Sequence, residues 1–193
     1  MARPVLVSLE GNIGAGKSTL AEELRRRGRT VIVESVDSWG DTLALFYEDP
    51  ARWSFLLQSR ILLDMRAQKD RALESSEKYV FIERSPRSAY IFVKQAEEDG
   101  NMNVTERAAY DELQSRLGWI PDQAVLLQVS DKECAKRMNL RGREAERSVP
   151  DSYVASIGEK YREADLASGP VHRLDGTKST KEIADEVERI FPM

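Results

Sequence analysis

The chain has 193 residues, room for one α/β domain with a buried sheet and too few for two. Charged residues make up 32% and the net charge is −4, which argues against a protein built to grip a nucleic-acid backbone. One cysteine, Cys134, excludes an intrachain disulfide and a cysteine metal cluster; it falls in a helical pattern and reads as a small packed thiol. No run approaches the roughly 18 apolar residues of a membrane span, and the opening MARPVLVSLEG enters a strand directly, without the apolar core of a secretory signal. The expected compartment is therefore the cytoplasm, with no nucleic-acid or membrane partner.

In chain order, short strands are expected at Val5–Leu9, Thr30–Glu34, Tyr79–Glu83, Ala124–Val129 and Val171–Leu174, several of them nearly continuous in Val, Leu and Ile. Helical patterns separate them: Lys17–Arg27, a long one over Pro50–Glu77, Ser88–Glu98, Val104–Leu117, Asp131–Leu140, Pro150–Leu166 and Ser179–Phe191. Pro50 and Pro150 suit the first turn of a helix, Ser179 and Glu182 have capping-box spacing, and Gly28, Gly100 and Gly118 punctuate helix ends. Strand and helix alternation of this kind predicts a three-layer α/β fold: a five-stranded parallel sheet flanked by helices, in a single domain over 1–193.

Between the first strand and the first helix stands Gly11-Asn12-Ile13-Gly14-Ala15-Gly16-Lys17-Ser18-Thr19, which matches the P-loop pattern G-x-x-x-x-G-K-[ST]. Glycines let consecutive backbone N–H groups curl around phosphate oxygens, and the helix N-terminus adds its positive end. Lys17 is expected on the β- and γ-phosphates and Ser18 on Mg²⁺. The loop does not name the acceptor. The guanine-reading N-K-x-D of GTPases is absent, so the acceptor must be read elsewhere.

Glu34 closes the second strand, and Glu83-Arg84-Ser85 closes the third. Carboxyl ends of parallel strands face the ligand crevice, so these groups are expected beside the loop. A carboxylate there can take the proton of an attacking hydroxyl, and an acid with an arginine suits Mg²⁺ coordination and stabilisation of a transferring phosphoryl group. Further on, Arg137, Arg141, Arg143 and Arg147 are interleaved with Glu144 and Glu146, a composition suited to a lid (about 140–149) that covers phosphates. On the long helix, Leu57, Gln58, Ile61 and Met65 share one face, a lone polar group on an apolar surface.

Together these segments resemble the deoxynucleoside kinase family from about Val5 to Arg162. Leu9–Thr19 is similar to its phosphate loop almost letter for letter, and Glu34-Ser35-Val36-Asp37-Ser38-Trp39 to its E-P-V-x-x-W segment, with Ser35 replacing the proline. Tyr47-Glu48-Asp49-Pro50 with Trp53 and Gln58 resembles the start of its substrate helix, Glu83-Arg84-Ser85 its E-R-S motif, and Arg141–Glu146 its R-x-R-x-E-E lid, with Ala145 in place of the first glutamate.

The resemblance implies the P-loop kinase version of the fold and the following roles. Glu34 is the general base for the nucleoside 5′-hydroxyl; Arg84 holds that hydroxyl and the incoming phosphoryl group, with Lys17 the third catalytic group; Glu83 joins Ser18 on Mg²⁺. Tyr47 and Glu146 bind the deoxyribose 3′-hydroxyl, Gln58 hydrogen-bonds the base, Phe92 stacks on it, and Trp39 and Leu57 close the pocket. ATP is the donor, with Asp175 and Gly176 near the adenine, and the protein is a homodimer. Deoxycytidine-restricted members carry an arginine where this chain has Met65 and an aspartate near Ala89. Uncharged groups here leave room for a thymine methyl, so a kinase for thymidine and deoxycytidine is expected. The rivals are a thymidylate kinase, which needs a cation rather than Glu34 to meet a monophosphate, and a non-catalytic nucleotide-binding module.

Overall fold

The structure, a computed structural model, describes residues 3–34, 39–143, 146 and 149–192. Five strands, β1 (Val5–Glu10), β2 (Val31–Ile32), β3 (Tyr79–Glu83), β4 (Gln123–Gln128) and β5 (Val171–Asp175), form one all-parallel sheet in the order β2-β3-β1-β4-β5. Their apolar runs are buried on both faces because side chains alternate between two helical layers. Val7, Leu9, Phe81, Val125 and Leu127 face a core shared with α1 (Lys17–Arg26), α6 (Asp131–Arg141) and α8 (Thr180–Ile190). Leu6, Val80 and Ile82 face Ala72 of α3 (Pro50–Leu73), while Ala124 and Leu126 face Ile91 of α4 (Pro86–Glu98) and Ile157 of α7 (Asp151–Glu163). An outer helix, α5 (Val104–Leu117), packs its buried Tyr110 against α3 and α4.

Local signals fix the ends of these elements. Asp49 caps α3 by accepting from the Arg52 amide at 3.2 Å, with Pro50 in the first turn where no N–H is needed. Ser179 and Glu182 form the expected capping box at the start of α8. Pro150 is the residue before α7 rather than its first, and α7 stops at Glu163 instead of running to Leu166. Two further departures bear on function. The second strand is reduced to Val31–Ile32, so Glu34 lies on the chain leaving it. A helix absent from the sequence expectation, α2 (Gly40–Glu48), precedes α3 and ends at Asp49-Pro50.

The strand order reverses around β1: the chain builds β2 and β3 on one side and then β4 and β5 on the other. Such a switch point opens a crevice beyond the carboxyl ends of the strands. The loop after β1 and the Glu83-Arg84 step after β3 both sit there.

Candidate active site

The loop from Gly11 wraps back to α1 with Gly14 at φ 78° and Gly16 at φ 102°, left-handed values that glycine adopts without penalty. Gly14 is also required by space, since a Cβ there would meet the Cys134 carbonyl oxygen at 2.2 Å. Lys17 Nζ donates to the carbonyls of Gly11 and Asn12, both at 2.9 Å, and folds over the loop. Burial, with Arg84 close by, pulls its ammonium down to about 7. Asn12 does not face the crevice. Its side chain accepts from the Ile13 amide at 2.8 Å and donates to Val154 O of α7 at 2.8 Å and to Asp131 of α6 at 3.2 Å, tying the loop to both helices.

Ser18 Oγ donates to Glu83 Oε1 at 2.6 Å, and Glu83 Oε2 accepts from the Glu34 amide at 3.3 Å. Ser18 and Glu83 thus pair two hard oxygen donors at the foot of the loop. Mg²⁺ takes one or two such protein oxygens with phosphates and water completing its octahedron, so these residues fit the ion. Among the described residues no group of three or more His, Cys, Asp or Glu gathers to hold a metal on its own.

Arg84 has φ 66°, the one positive value at a non-glycine position among the described residues. Its Nε lies 3.2 Å from Glu34 Oε1, an ion pair without an aligned hydrogen bond. The guanidinium also rests 4.8 Å above the Phe92 ring, and Nη1 donates to the Tyr161 hydroxyl at 2.8 Å. Burial opposes the charge on Arg84, but Tyr161, Glu34, Glu10 and Glu83 around it outweigh that and hold its pKa above the ordinary arginine value. Burial raises the Glu34 carboxyl, with Arg84 pulling the other way. Two acids and two cations therefore share one desolvated corner, where charge–charge energies are largest.

A single cavity extends from this corner. Glu34, Trp39, Tyr47, Leu57, Gln58, Ile61, Met65, Arg84, Ala89, Phe92 and Glu146 line it, which brings together every residue expected on the acceptor side. Gln58 Oε1 and Trp39 Nε1 are buried there without partners among the described residues, so each presents an open hydrogen-bonding valence. Met65 and Ala89 form an uncharged wall. Burial, with Glu146 adding to it, pushes the Tyr47 phenol up to about 12, and the hydroxyl stays protonated and able to donate.

Three lining residues were not expected: Leu43 and Phe46 of α2, and Tyr153 of α7. Leu43, Phe46 and Tyr47 have the i, i+3, i+4 spacing of a helix face, a signal visible once Gly40–Glu48 is read as a helix. Tyr153, three residues past Pro150, carries no comparable signal.

On the donor side, a groove is lined by Gly14, Ala15, Gly16, Lys17, Ser18, Thr19, Arg137, Arg141, Arg143 and Gly176. Arg137 is held by Glu133 at 3.0 Å and by the Gly176 carbonyl at 2.9 Å. Asp175 is not on the groove; its carboxylate turns back to Thr177, accepting from its amide at 2.9 Å and its hydroxyl at 2.6 Å. Glu146 accepts from Arg141 at 2.7 Å and lies 3.5 Å from Arg143. Ser35, Val36, Asp37 and Ser38, and Glu144, Ala145 and Arg147 of the lid, lie outside the described residues.

The deoxynucleoside kinase family profile matches residues 7–191. The chain belongs to the deoxynucleoside kinase family. It is accordingly an ATP-dependent nucleoside kinase on an α/β P-loop scaffold. A putative deoxynucleoside kinase of Frog virus 3 is 31% identical over 161 residues, covering 83% of each chain. The deoxycytidine kinase of Rattus norvegicus is 33% identical over 189 residues, covering 80% of this chain and 73% of its own. Among solved structures, a deoxyadenosine kinase from M. mycoides with dCMP and dCDP bound superposes with a TM-score of 0.84 at 22% identity, covering 96% of this chain and 98% of that one. At that identity the likeness is one of fold.

Proposed function

We propose that this deoxynucleoside kinase transfers the γ-phosphate of ATP to the 5′-hydroxyl of pyrimidine deoxynucleosides, thymidine and deoxycytidine. The observation that carries the reading is the junction of Glu34 and Arg84 with a cavity whose far wall offers Gln58 as its polar group beside uncharged Met65 and Ala89. Glu34 accepts the 5′-hydroxyl proton as the oxygen bonds to the γ-phosphorus, and the bond to the β-γ bridging oxygen breaks to release ADP. Arg84 and Lys17 hold the oxygens on which charge gathers. Mg²⁺, held by Ser18 and Glu83, neutralises the phosphates when bound. The backbone amides of Gly11 to Thr19 cradle the triphosphate, with Arg137, Arg141, Arg143 and Gly176 on its outer side and Asp175 shaping that turn through Thr177.

On the acceptor, Tyr47 and Glu146 hold the 3′-hydroxyl, Gln58 pairs with the pyrimidine edge, and Phe92, Trp39, Leu57 and Ile61 enclose the base. A carboxylate at Glu34 repels a phosphate monoester, which disfavours thymidylate kinase activity. Assembly as a cytoplasmic homodimer completes the reading, and sedimentation velocity of the purified chain tests that part. The substrate assignment rests on kcat/KM for the four deoxynucleosides, with thymidine monophosphate as a fifth acceptor. Thymidine activity below a hundredth of the best substrate would sink the thymidine assignment, and transfer to the monophosphate alone would sink the nucleoside reading.

A further inference from the structure

Arg84 is a buried arginine in a backbone conformation that L-residues avoid. A left-handed conformation at a non-glycine residue is strained and persists where its surroundings over-determine it. What over-determines Arg84 is a set of contacts on its inner side that the roles above leave unused. Nη1 donates to the Tyr161 hydroxyl at 2.8 Å, and Tyr161 is a buried α7 side chain packed with Ile91, Ala124, Leu126 and Ile157. The hydroxyl is the polar tip of an otherwise apolar cluster. Beside it, the next residue of the chain, Ser85, donates its hydroxyl to the fully buried Glu10 at 2.7 Å, and Ser85 with Ser88 closes the capping box of α4. Glu10, at the end of β1, is a second carboxylate near the guanidinium, on a strand separate from Glu34.

We propose that Tyr161 is a positioning residue for Arg84: by taking Nη1 from the α7 side it fixes the guanidinium plane and leaves Nε and Nη2 as the donors available to the reacting oxygens. A guanidinium has five donors in a rigid planar fork, so fixing one corner fixes the direction of the others. Without the Tyr161 oxygen, the cation is free to rotate into the Glu34 carboxylate already 3.2 Å from Nε, and the base would then be engaged by its own arginine rather than by the substrate hydroxyl. The face of Phe92 at 4.8 Å holds the plane from above but supplies no hydrogen bond, so it does not set the rotation.

The inference rests on the reading that Arg84 acts on the acceptor hydroxyl and phosphoryl group, and a double-mutant cycle separates the two. Tyr161→Phe removes one oxygen and keeps the ring in its apolar cluster. The expected result is a fall in kcat on the order of tenfold, the effect of losing one charge-assisted hydrogen bond in the transition state, with the nucleoside KM changed less than threefold. In an Arg84→Ala background the same substitution should change kcat by less than twofold. A thermal melt accompanies each variant, because a purely structural hydroxyl predicts a lowered Tm with kcat retained. If Arg84→Ala itself leaves kcat intact, the role of Arg84 is wrong. If Arg84→Ala lowers kcat while Tyr161→Phe does not, or the two effects multiply, Arg84 keeps its role and the positioning by Tyr161 is overturned.

Discussion

The charged groups over the carboxyl ends of β1 and β3 and those of the lid are similar in number and opposite in character. At the strand ends, the buried charges Lys17, Glu83 and Arg84 are each anchored from another part of the fold or loop: Lys17 by two carbonyls, Glu83 by Ser18, Arg84 by Tyr161 and Glu34. In the lid, Arg141 and Arg143 reach mainly Glu146 within their own segment, and both arginines keep about a third or more of their side chains in water. Burial of the charges themselves makes the first set rigid and expensive to disturb, whereas near-surface pairs contribute little and exchange readily. The floor is built before substrate arrives, whereas the Glu146 pairs are ones that Arg141 and Arg143 would exchange for phosphate oxygens under the role proposed above.

The largest expected effect breaks the floor. Glu34→Gln keeps shape and hydrogen bonding but cannot take a proton, so kcat should fall by about 10²-fold or more, within the roughly 10²–10⁴ that positioned proton transfer supplies. Nucleotide binding, followed by fluorescence or calorimetry, should be retained. An unchanged kcat would remove Glu34 from the chemistry.

A second test strikes behind the floor without touching the crevice. A Cβ at Gly158 of α7 would fall 1.8 Å from Asp131 Oδ1 and 2.8 Å from Asn12 Nδ2, where Asp131 also accepts from Arg162 at 3.0 Å. Gly158→Ala should therefore destabilise by about 1–3 kcal/mol through overpacking, despite the better helix propensity of alanine. Chemical denaturation measures it; a gain in stability would show that the interlock of Asn12, Asp131 and Gly158 yields freely.

The contrast between floor and lid was partly legible in the sequence. Glu83-Arg84 and the phosphate loop could be read because strand ends beside a P-loop have one place to go in a parallel sheet. Leu57, Gln58, Ile61 and Met65 could be read because a helix face has a fixed period. Tyr161 and Glu10 could not. A tyrosine on an amphipathic helix and an acid ending a strand are ordinary locally, and their meaning comes from α7 and β1 meeting beside Arg84, a long-range event. Membership of the loop motif leaves open which side the Asn12 side chain takes, and Val154 and Asp131 decide that. Helix α2 was missed because its nine residues stop at Asp49-Pro50 and lack a side-chain cap hydrogen bond.

The lid supplies the next smaller effect. Arg141→Ala should lower kcat about tenfold, since one charge-assisted contact to phosphate is lost while Arg137 and Arg143 remain. Its Tm should barely move, because Arg141 keeps about a third of its side chain in water and Glu146 retains Arg143 as a partner. A drop in Tm of many degrees with kcat preserved would make the lid pairing structural and erase the distinction drawn above.

The smallest expected signal, the uptake of at most one proton, tests how desolvated the floor is before nucleotide binds. Burial and the nearby Arg84 lower Lys17 to about 7, so at pH 8 the free enzyme holds this amine mostly neutral. A bound triphosphate favours the ammonium and returns its pKa toward the ordinary lysine range, so binding must take up a proton from the buffer at that pH. Below about pH 6 the amine is already charged and the uptake vanishes. Binding enthalpies measured in buffers of differing ionisation heat give the number directly: close to one proton at pH 8, near zero at pH 6, and none attributable to this group in Lys17→Met. Zero uptake at both pH values would mean that the amine is charged in the free enzyme, and that the floor is wetter than its packing implies.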